Sequence, residues 1–476
     1  MIYAVSLVVI VLALLTVSIA RSFKLKTHSD FMVADRRLSV WVLIFTLLCS
    51  WIGAGSLFAG AEFAYKQGLA ALWLPAGGWA GLLVIYFIAG RARSFAQYTI
   101  PDLLEVRYSP MARVLGTICI IVSYTAIVSY QFRGGGRILE LAFGISETAG
   151  TILLAGFVIV FTALAGMSSV AYTDLVIGLV VTAGCLIALP AMIVRAGGWS
   201  VVAGALPAGH LTALGSMRWD EALGYFLPTF TLMLGNQAMY QKFFSARSAR
   251  DARLSVVGWI CGTVVLETVI VLLAMVGGVM FRSRVESGLL PAWGLIPYTA
   301  RYGMMPLIGA IFLAAIFAKV ISTGNNYLFS PATSVVHDVL QRFVMKNATD
   351  RALVRLSRIV VVALGLLALA QSFQPSILRT AVYAYDVYGA GITPVVVAAF
   401  FWKRTTTAGG LSSIAAGTAV AVIWKVFHLD PIVPMIFPAL AASLVSLIGV
   451  SLLTTAPRAE QWQPFFPPVE ERQRAS

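Results

Sequence analysis

A lysine and two hydroxyl side chains share one stretch of an otherwise apolar segment. Residues 317–329 read FAKVISTGNNYLF, so Lys319 lies one helical turn before Ser322 and Thr323. Adjacent hydroxyls can help to hold a hard cation such as sodium, because such ions take oxygen ligands. The same hydroxyls can instead bond to carbonyls one turn earlier in their own helix. A lysine near the bilayer centre costs roughly 3 kcal/mol on insertion scales, so we expect Lys319 to be paired or functional.

Three other ionisable residues in apolar stretches have competing interpretations. Arg133, in SYQFRGGGRILE, can clamp a carboxylate with a bidentate geometry, which predicts a small organic anion as solute. It can equally mark the outer end of its helix and snorkel to the interface. Asp174, at the start of an apolar segment, can be a helix cap. Asp386, among the tyrosines of YAYDVYGAG, is a candidate partner for Lys319 or a gate residue.

The composition places these residues in a membrane protein. Of the 476 residues, 59% are hydrophobic and 11% are charged, and the apolar residues come in long blocks. Because a spanning helix needs about 20 apolar residues, the blocks predict thirteen transmembrane helices in an all-α polytopic fold. Their bounds are roughly residues 2–20, 40–62, 69–90, 112–133, 147–166, 172–194, 221–241, 254–281, 304–335, 356–372, 376–402, 408–427 and 430–454.

The positive charges predict the orientation of these helices in the bilayer. Of the 34 Lys and Arg residues, 23 lie in loops 21–39, 91–113, 242–253, 337–358 and 403–404 and in the C-terminal tail. Thirteen alternating helices place all of these segments on one side, which the positive-inside rule makes the cytoplasm. The topology is therefore N-out and C-in. The net charge of +14 is explained in this way, and its spread over short loops argues against nucleic-acid binding.

Two of the predicted helices are interrupted. The second contains the glycine-rich run SWIGAGSLFAGAEFAYKQG (50–68), and the seventh contains LGNQAMYQKF (234–243). Interrupted helices five spans apart are typical of inverted-repeat transporters, in which irregular backbone lines the binding site. We expect Asn236 and Gln237 to hydrogen-bond the solute beside the second break, and Tyr240 to close over it from the inside.

Several motifs resemble those of the sodium:solute symporter family. They are GMSSVAYTDLVIG (166–178), NQAMYQKFFSARSARDARLS (236–255), SDFMVADRRLSVW (29–41), VYGAGITPVVVAAFFWKRTT (387–406) and the STGNN of the opening stretch. The resemblance implies a LeuT-type core of two inverted five-helix repeats, spans 2–6 and 7–11. The predicted divisions are 1–39 for the first helix and loop, 40–402 for the core, 403–455 for two further helices and 456–476 for a disordered tail.

The resemblance also implies a sodium site between the second and ninth helices. Its ligands would be the main-chain carbonyls of Cys49, Ile52 and residue 319 and the hydroxyls of Ser322 and Thr323. The solute-binding residues predicted from the breaks and the resemblance are Gly55, Ser56, Arg133, Asn236, Gln237, Tyr240 and Asn326. Asp174 would lie on the exit route for sodium.

Lys319 departs from the family's pattern, in which this position usually holds a small residue. Its carbonyl can still bind sodium while its side chain pairs with a carboxylate such as Asp386, Asp174 or Glu267. Alternatively, the ammonium group can replace the ion, giving a sodium-independent or proton-coupled carrier. In a third alternative it contacts an anionic solute.

The sequence thus predicts a secondary active transporter and no enzyme. Sodium is the expected coupling ion, with no organic cofactor, a small-molecule solute and a bacterial cytoplasmic membrane as location. We expect a monomer or a weak homo-oligomer. The alternative from another class, a sensor on a transporter scaffold, needs a signalling domain, and the roughly 20 residues after the last span are fewer than the about 50 of a domain.

Overall fold

The protein is helical throughout the part of the chain that the computed structural model describes. The described residues are 1–22, 28–95, 98–164, 166–374, 376–430 and 432–466. Within them there is no strand beyond a single bridge between Leu38 and Ala246. Eleven segments of these ranges are long and apolar enough to cross a membrane. The all-α polytopic fold is confirmed, whereas the number of thirteen spans and their orientation stay predictions.

The helices follow one another along the chain. They are α1 Ile2–Ser22, α2 His28–Val33, α3 Val40–Trp51, α4 Gly60–Gln67, α5 Trp73–Ser94, α6 Ile100–Arg107, α7 Pro110–Phe143, α8 Glu147–Leu164, α9 Met167–Arg195, α10 Trp199–Ala205, α11 Trp219–Gly235, α12 Gln237–Phe244, α13 Ala249–Met280, α14 Arg282–Glu286, α15 Leu295–Tyr302, α16 Pro306–Ser334, α17 Asp350–Gln371, α18 Ile377–Gly391, α19 Thr393–Phe401, α20 Thr407–Val426, α21 Ile436–Leu453 and α22 Ala459–Trp462. Two π-helical segments, Gly55–Ala59 and Val335–Val344, precede α4 and follow α16.

Both predicted interruptions are present. The backbone leaves the helical conformation at Ile52, where ψ is 116°, and the chain re-enters a helix through Gly55–Ala59 into α4. It leaves again at Asn236, where ψ is 110°, between α11 and α12. These interruptions explain why the two predicted spans fall short of the length of a continuous transmembrane helix.

The two interrupted helices pack in a reciprocal way. α3 packs against α13, and α11 packs against α5, so the first helix of each predicted repeat contacts the second helix of the other. α16 is enclosed by several neighbours, because it contacts α1, α3, α7, α8 and α9. Every residue from Phe312 to Ser334 is buried, so all polar groups on this part of α16 face protein.

The C-terminal helices form a peripheral hairpin. α20 and α21 pack against each other and against α18. The chain beyond them does not begin as the disordered tail predicted from residue 456. α22 is helical. Phe465, which follows it, is fully buried, and its ring lies 4.3 Å from that of Phe95 at the end of α5. Residues 467–476 lie outside the described part of the chain.

Candidate functional site

The hydroxyl of Thr323 lies at the point where α3 ends and the main chain unwinds. Its Oγ1 is 3.0 Å from each of three carbonyl oxygens, those of Cys49, Ile52 and Lys319. The close approach requires a glycine, because a Cβ at Gly53 would lie 2.6 Å from Thr323 Oγ1. Four of the five oxygens that the sequence predicts as sodium ligands therefore converge at this break.

The fifth predicted ligand, the hydroxyl of Ser322, donates to the buried carboxylate of Asp174 instead. Asp174 Oδ2 also accepts from Thr46 Oγ1 at 2.5 Å and from Asn326 Nδ2 at 3.0 Å. Asn326 Oδ1 in turn accepts from Lys242 Nζ at 2.5 Å. Asn326 thus bridges a buried carboxylate and a buried ammonium group, which balances one negative and one positive charge inside the helix bundle.

Two members of this network differ from the sequence-based expectation. Asp174 lies about two turns into α9, which begins at Met167, so it does not cap that helix. Lys242 was counted among the basic loop residues, but it is 1% exposed near the end of α12. The only sequence signal for its role was the Gln-Lys pair in the motif that resembles the family's.

Lys319 is held against the end of α3. It is 1% exposed, and its Nζ donates to the main-chain carbonyl of Leu48 at 2.8 Å. Leu48 directly precedes Cys49, so the ammonium group lies beside the carbonyls that surround Thr323. In the described part of the chain no carboxylate forms an ion pair with Lys319. The predicted pairing with a carboxylate is therefore not made by direct contact.

A small pocket lies beside the break of α3. Its volume is about 30 Å³, which is room for about two water-sized groups. Residues that line it include Trp51, Gly55, Ser56, Tyr130, Thr229, Glu267, Thr323, Tyr327 and Tyr385. Gly55 and Ser56 were predicted to contact solute. Glu267 was weighed only as a partner for Lys319, and its Oε1 accepts from Ser56 Oγ at 2.8 Å.

Asn236, Gln237 and Tyr240, also predicted to contact solute, do not line this pocket. Asn236 Nδ2 donates to the hydroxyl of Tyr327 at 2.9 Å. Gln237 Oε1 accepts from the main-chain N–H of Ile100 at 2.5 Å. The Tyr240 hydroxyl donates to a main-chain carbonyl of α11 at 3.1 Å. These side chains join α11 and α12 to α6 and α16.

Arg133 does not reach the pocket either. Its Nε donates to Glu147 Oε1 at 2.8 Å, its Nη1 donates to the carbonyl of Gln374, and its guanidinium lies 5.0 Å from the ring centroid of Trp293. These contacts place it at the end of α7 away from the basic loops, which we call the outer end, and they correspond to the snorkelling alternative. The geometry gives no support to an anion clamp.

A second, larger cavity of about 660 Å³ opens at the outer end. Asp386 lines it and is 3% exposed, with an Oδ1 that has no hydrogen-bond partner within the described structure. Asp386 is thus neither in the pocket nor beside Lys319. Phe63 and Tyr225, whose rings lie 4.2 Å apart, also line this cavity and belong to the two interrupted helices, and neither lines the pocket beside the break of α3.

A charged cluster closes the opposite, inner end. Arg113 pairs with Asp102, Glu105 and Asp338, the last at 2.9 Å, and His337 Nε2 lies 3.0 Å from Asp102 Oδ2. Burial by itself would raise the pKa of Asp102, but the contacts with His337 and Arg113 lower it below its usual value. Asp102, His337 and Asp338 are also close enough together to hold a metal ion. Arg113 already supplies the positive charge there.

Comparison with known proteins gives one family. The model of the sodium:solute symporter family matches residues 31–417. The high-affinity proline transporter PutP of Bacillus subtilis is 26% identical over 453 residues, which cover 90% of this chain and 93% of that protein. A sodium/proline symporter of Staphylococcus aureus is 26% identical over 464 residues, covering 90% of this chain and 88% of that one.

Solved structures share the fold. A sodium-coupled sialic acid symporter, solved in a substrate-bound outward-open state, superposes with a TM-score of 0.81 at 15% identity, covering 96% of this chain and 99% of that chain. Mhp1, a nucleobase-cation-symport-1 family transporter in a closed conformation, gives 0.60 at 14% identity, covering 93% and 97%. The predicted LeuT-type fold is confirmed.

Proposed function

The chain belongs to the sodium:solute symporter family, and from that premise we propose that the oxygen cluster around Thr323 binds the sodium ion that drives solute uptake. The protein is a multi-pass membrane transporter and not an enzyme. In this proposal, residues 40–402 form the transport core and the pocket beside Ser56 is the solute site. The protein acts in the bacterial cytoplasmic membrane, as a monomer or a weak homo-oligomer, without an organic cofactor.

The convergence on Thr323 carries the proposal. A hydroxyl 3.0 Å from three carbonyl oxygens joins α16 to the unwound end of α3 across the two repeats. A sodium ion seated among these oxygens would replace hydrogen bonds by ion–oxygen contacts, and it would hold the two elements together more strongly than the hydroxyl alone. Binding of the ion and closure of the bundle around the pocket would then be coupled.

The closures at both ends support alternating access. In this proposal the paired rings of Phe63 and Tyr225, which line the outer cavity, are the outer closure. The Arg113 cluster, which ties α6 and α7 to the segment after α16, is the inner closure. A pocket of about 30 Å³ holds no organic solute in this conformation. Solute must therefore enter through a state in which the outer closure opens, and leave through one in which the inner closure opens.

Uptake by Thr323→Ala, measured in proteoliposomes with an imposed sodium gradient, tests the ion site. Proline is the first solute to assay, because two relatives are named for it. We expect Thr323→Ala to raise the sodium concentration for half-maximal uptake at least about tenfold, since one ligand oxygen is lost. Thr323→Ser is the matched control, because it keeps the hydroxyl, and its sodium dependence should stay near that of wild type. An unchanged sodium dependence in Thr323→Ala would place the ion elsewhere.

The position of Lys319 supports one second candidate. Its ammonium group bonds to the carbonyl of Leu48 at 2.8 Å, so a resident positive charge already lies beside the proposed ion site. In this alternative the lysine takes the place of the ion and the carrier is sodium-independent or proton-coupled. Uptake that is equal in sodium and potassium, and that follows an imposed pH gradient, would support this alternative over sodium coupling.

A further inference from the structure

We infer that the solute carries a positively charged nitrogen, which Glu267 binds in the central pocket. The inference rests on the proposed function, because it takes that pocket to be the solute site. Glu267 lies in the middle of α13 and is 4% exposed. It is the only carboxylate or basic residue among the described residues that line the pocket, so the pocket by itself has a negative character.

Three basic residues of the helix bundle bind groups outside the pocket. Lys319 donates to the carbonyl of Leu48 at 2.8 Å. Lys242 donates to Ser50 and Asn326, and Arg133 pairs with Glu147 at the outer end. In the described part of the chain, Glu267 has no ion-pair partner.

The contacts of Glu267 leave room for a cationic donor. Ser56 Oγ donates to Oε1 at 2.8 Å, and the Trp51 side chain also lies within reach of the carboxylate. Two carboxylate oxygens offer about four acceptor positions, and these two neighbours fill only part of them, so a further donor can still bind. A buried carboxylate with open acceptor positions gains most from an ionised donor, because charge-assisted hydrogen bonds are roughly twice as strong as neutral ones.

The other walls of the pocket favour the same kind of group. The rings of Trp51, Tyr130, Tyr327 and Tyr385 all line the pocket. Aromatic faces attract cations through the ring quadrupole, by about 2 kcal/mol or more when the pair is desolvated. The volume of about 30 Å³ accommodates an ammonium group but not the rest of a solute, which would occupy space released when the outer closure opens.

Thermal unfolding of purified protein tests the inference. Wild type is titrated, in saturating sodium, with L-proline, choline, lactate and glucose, which are respectively zwitterionic, cationic, anionic and neutral. We expect stabilisation by at least one of the two compounds with a cationic nitrogen and none by lactate or glucose. Glu267→Gln, which keeps the size of the side chain and an acceptor for Ser56, should weaken that binding by about 10- to 150-fold. Glu140→Gln is the control, because Glu140 pairs with Arg137 outside the pocket.

Each outcome separates the inference from the function on which it rests. Binding of the nitrogen compound that is unchanged in Glu267→Gln, stabilisation of wild type by lactate or glucose, or no stabilisation by either nitrogen compound overturns the inference. A wild type that sodium itself does not stabilise overturns the proposed ion site instead. Stabilisation of Glu267→Gln by sodium shows that this variant is folded. If the variant does not fold, the four titrations of wild type still test whether the solute carries a positively charged nitrogen.

Discussion

Replacing Lys319 by methionine should raise the affinity of the protein for sodium. The substitution keeps the length and most of the volume of the side chain, so packing against α3 is conserved, but it removes the positive charge beside Leu48. The carbonyl of residue 319, which contacts Thr323 Oγ1 at 3.0 Å, stays in place. The perturbation therefore changes the charge near the proposed ion site and leaves its oxygen atoms unchanged.

The magnitude follows from the distance between the two charges. The ammonium group bonds to the carbonyl that precedes Cys49, so it lies beside the proposed ion position. For a separation of about 5 Å and an effective dielectric constant of about 20, two unit charges repel by about 3 kcal/mol. Removing this repulsion should lower the sodium Kd by about two orders of magnitude.

The assay is thermal unfolding in sodium against potassium chloride at matched ionic strength. A ligand at a hundred times its Kd stabilises the folded state by about 2.7 kcal/mol, so the two Kd values can be read from titrations. Lys66→Met is the control, because this exposed lysine pairs with Glu62 at the outer end, away from the ion site.

A sodium Kd that differs by less than about threefold between wild type and Lys319→Met would refute the electrostatic argument, since it leaves less than about 0.7 kcal/mol for the repulsion. A different conclusion would follow if sodium stabilised Lys319→Met but not the wild type. It would show that the lysine occupies the role of the ion, and it would favour the sodium-independent alternative.

Two further substitutions test the close fit at Thr323 and the inner closure. Gly53→Ala should destabilise the protein by about 1–3 kcal/mol through overpacking and weaken its thermal response to sodium, because the new Cβ would lie 2.6 Å from Thr323 Oγ1. Gly156→Ala is the control and should leave both the stability and the sodium response unchanged, because its Cβ would meet nothing within 4 Å. A sodium response kept intact in Gly53→Ala would contradict the close fit. Arg113→Gln should lower the free energy of unfolding by about 3–5 kcal/mol, because it leaves buried carboxylates unpaired. The control is Arg342→Gln, at the exposed end of the same cluster. A loss of stability in Arg113→Gln no larger than that in Arg342→Gln would show that the cluster is not the inner closure.

The membrane environment and the irregular helices were readable from the sequence because both depend on local composition. Long apolar blocks indicated a bilayer, and the glycine-rich run around Gly55 and the polar run at Asn236 indicated where helices break. Both breaks are present in the structure, at Ile52 and Asn236. The family motifs then placed Thr323 opposite the first break, and the structure brings its hydroxyl to the carbonyls there.

The partners of the charged residues were decided only by the tertiary structure. Lys319 bonds to a carbonyl 271 positions earlier in the chain, and Arg133 turns to Glu147 at the outer end instead of the pocket. Lys242, predicted as a loop residue, is buried beside Asn326, and Glu267 faces the pocket from α13. Composition reports how apolar a helix is, but which side chains meet depends on the rotation and depth of each helix in the bundle. Those are set by packing against several neighbours at once, which no local stretch of sequence contains.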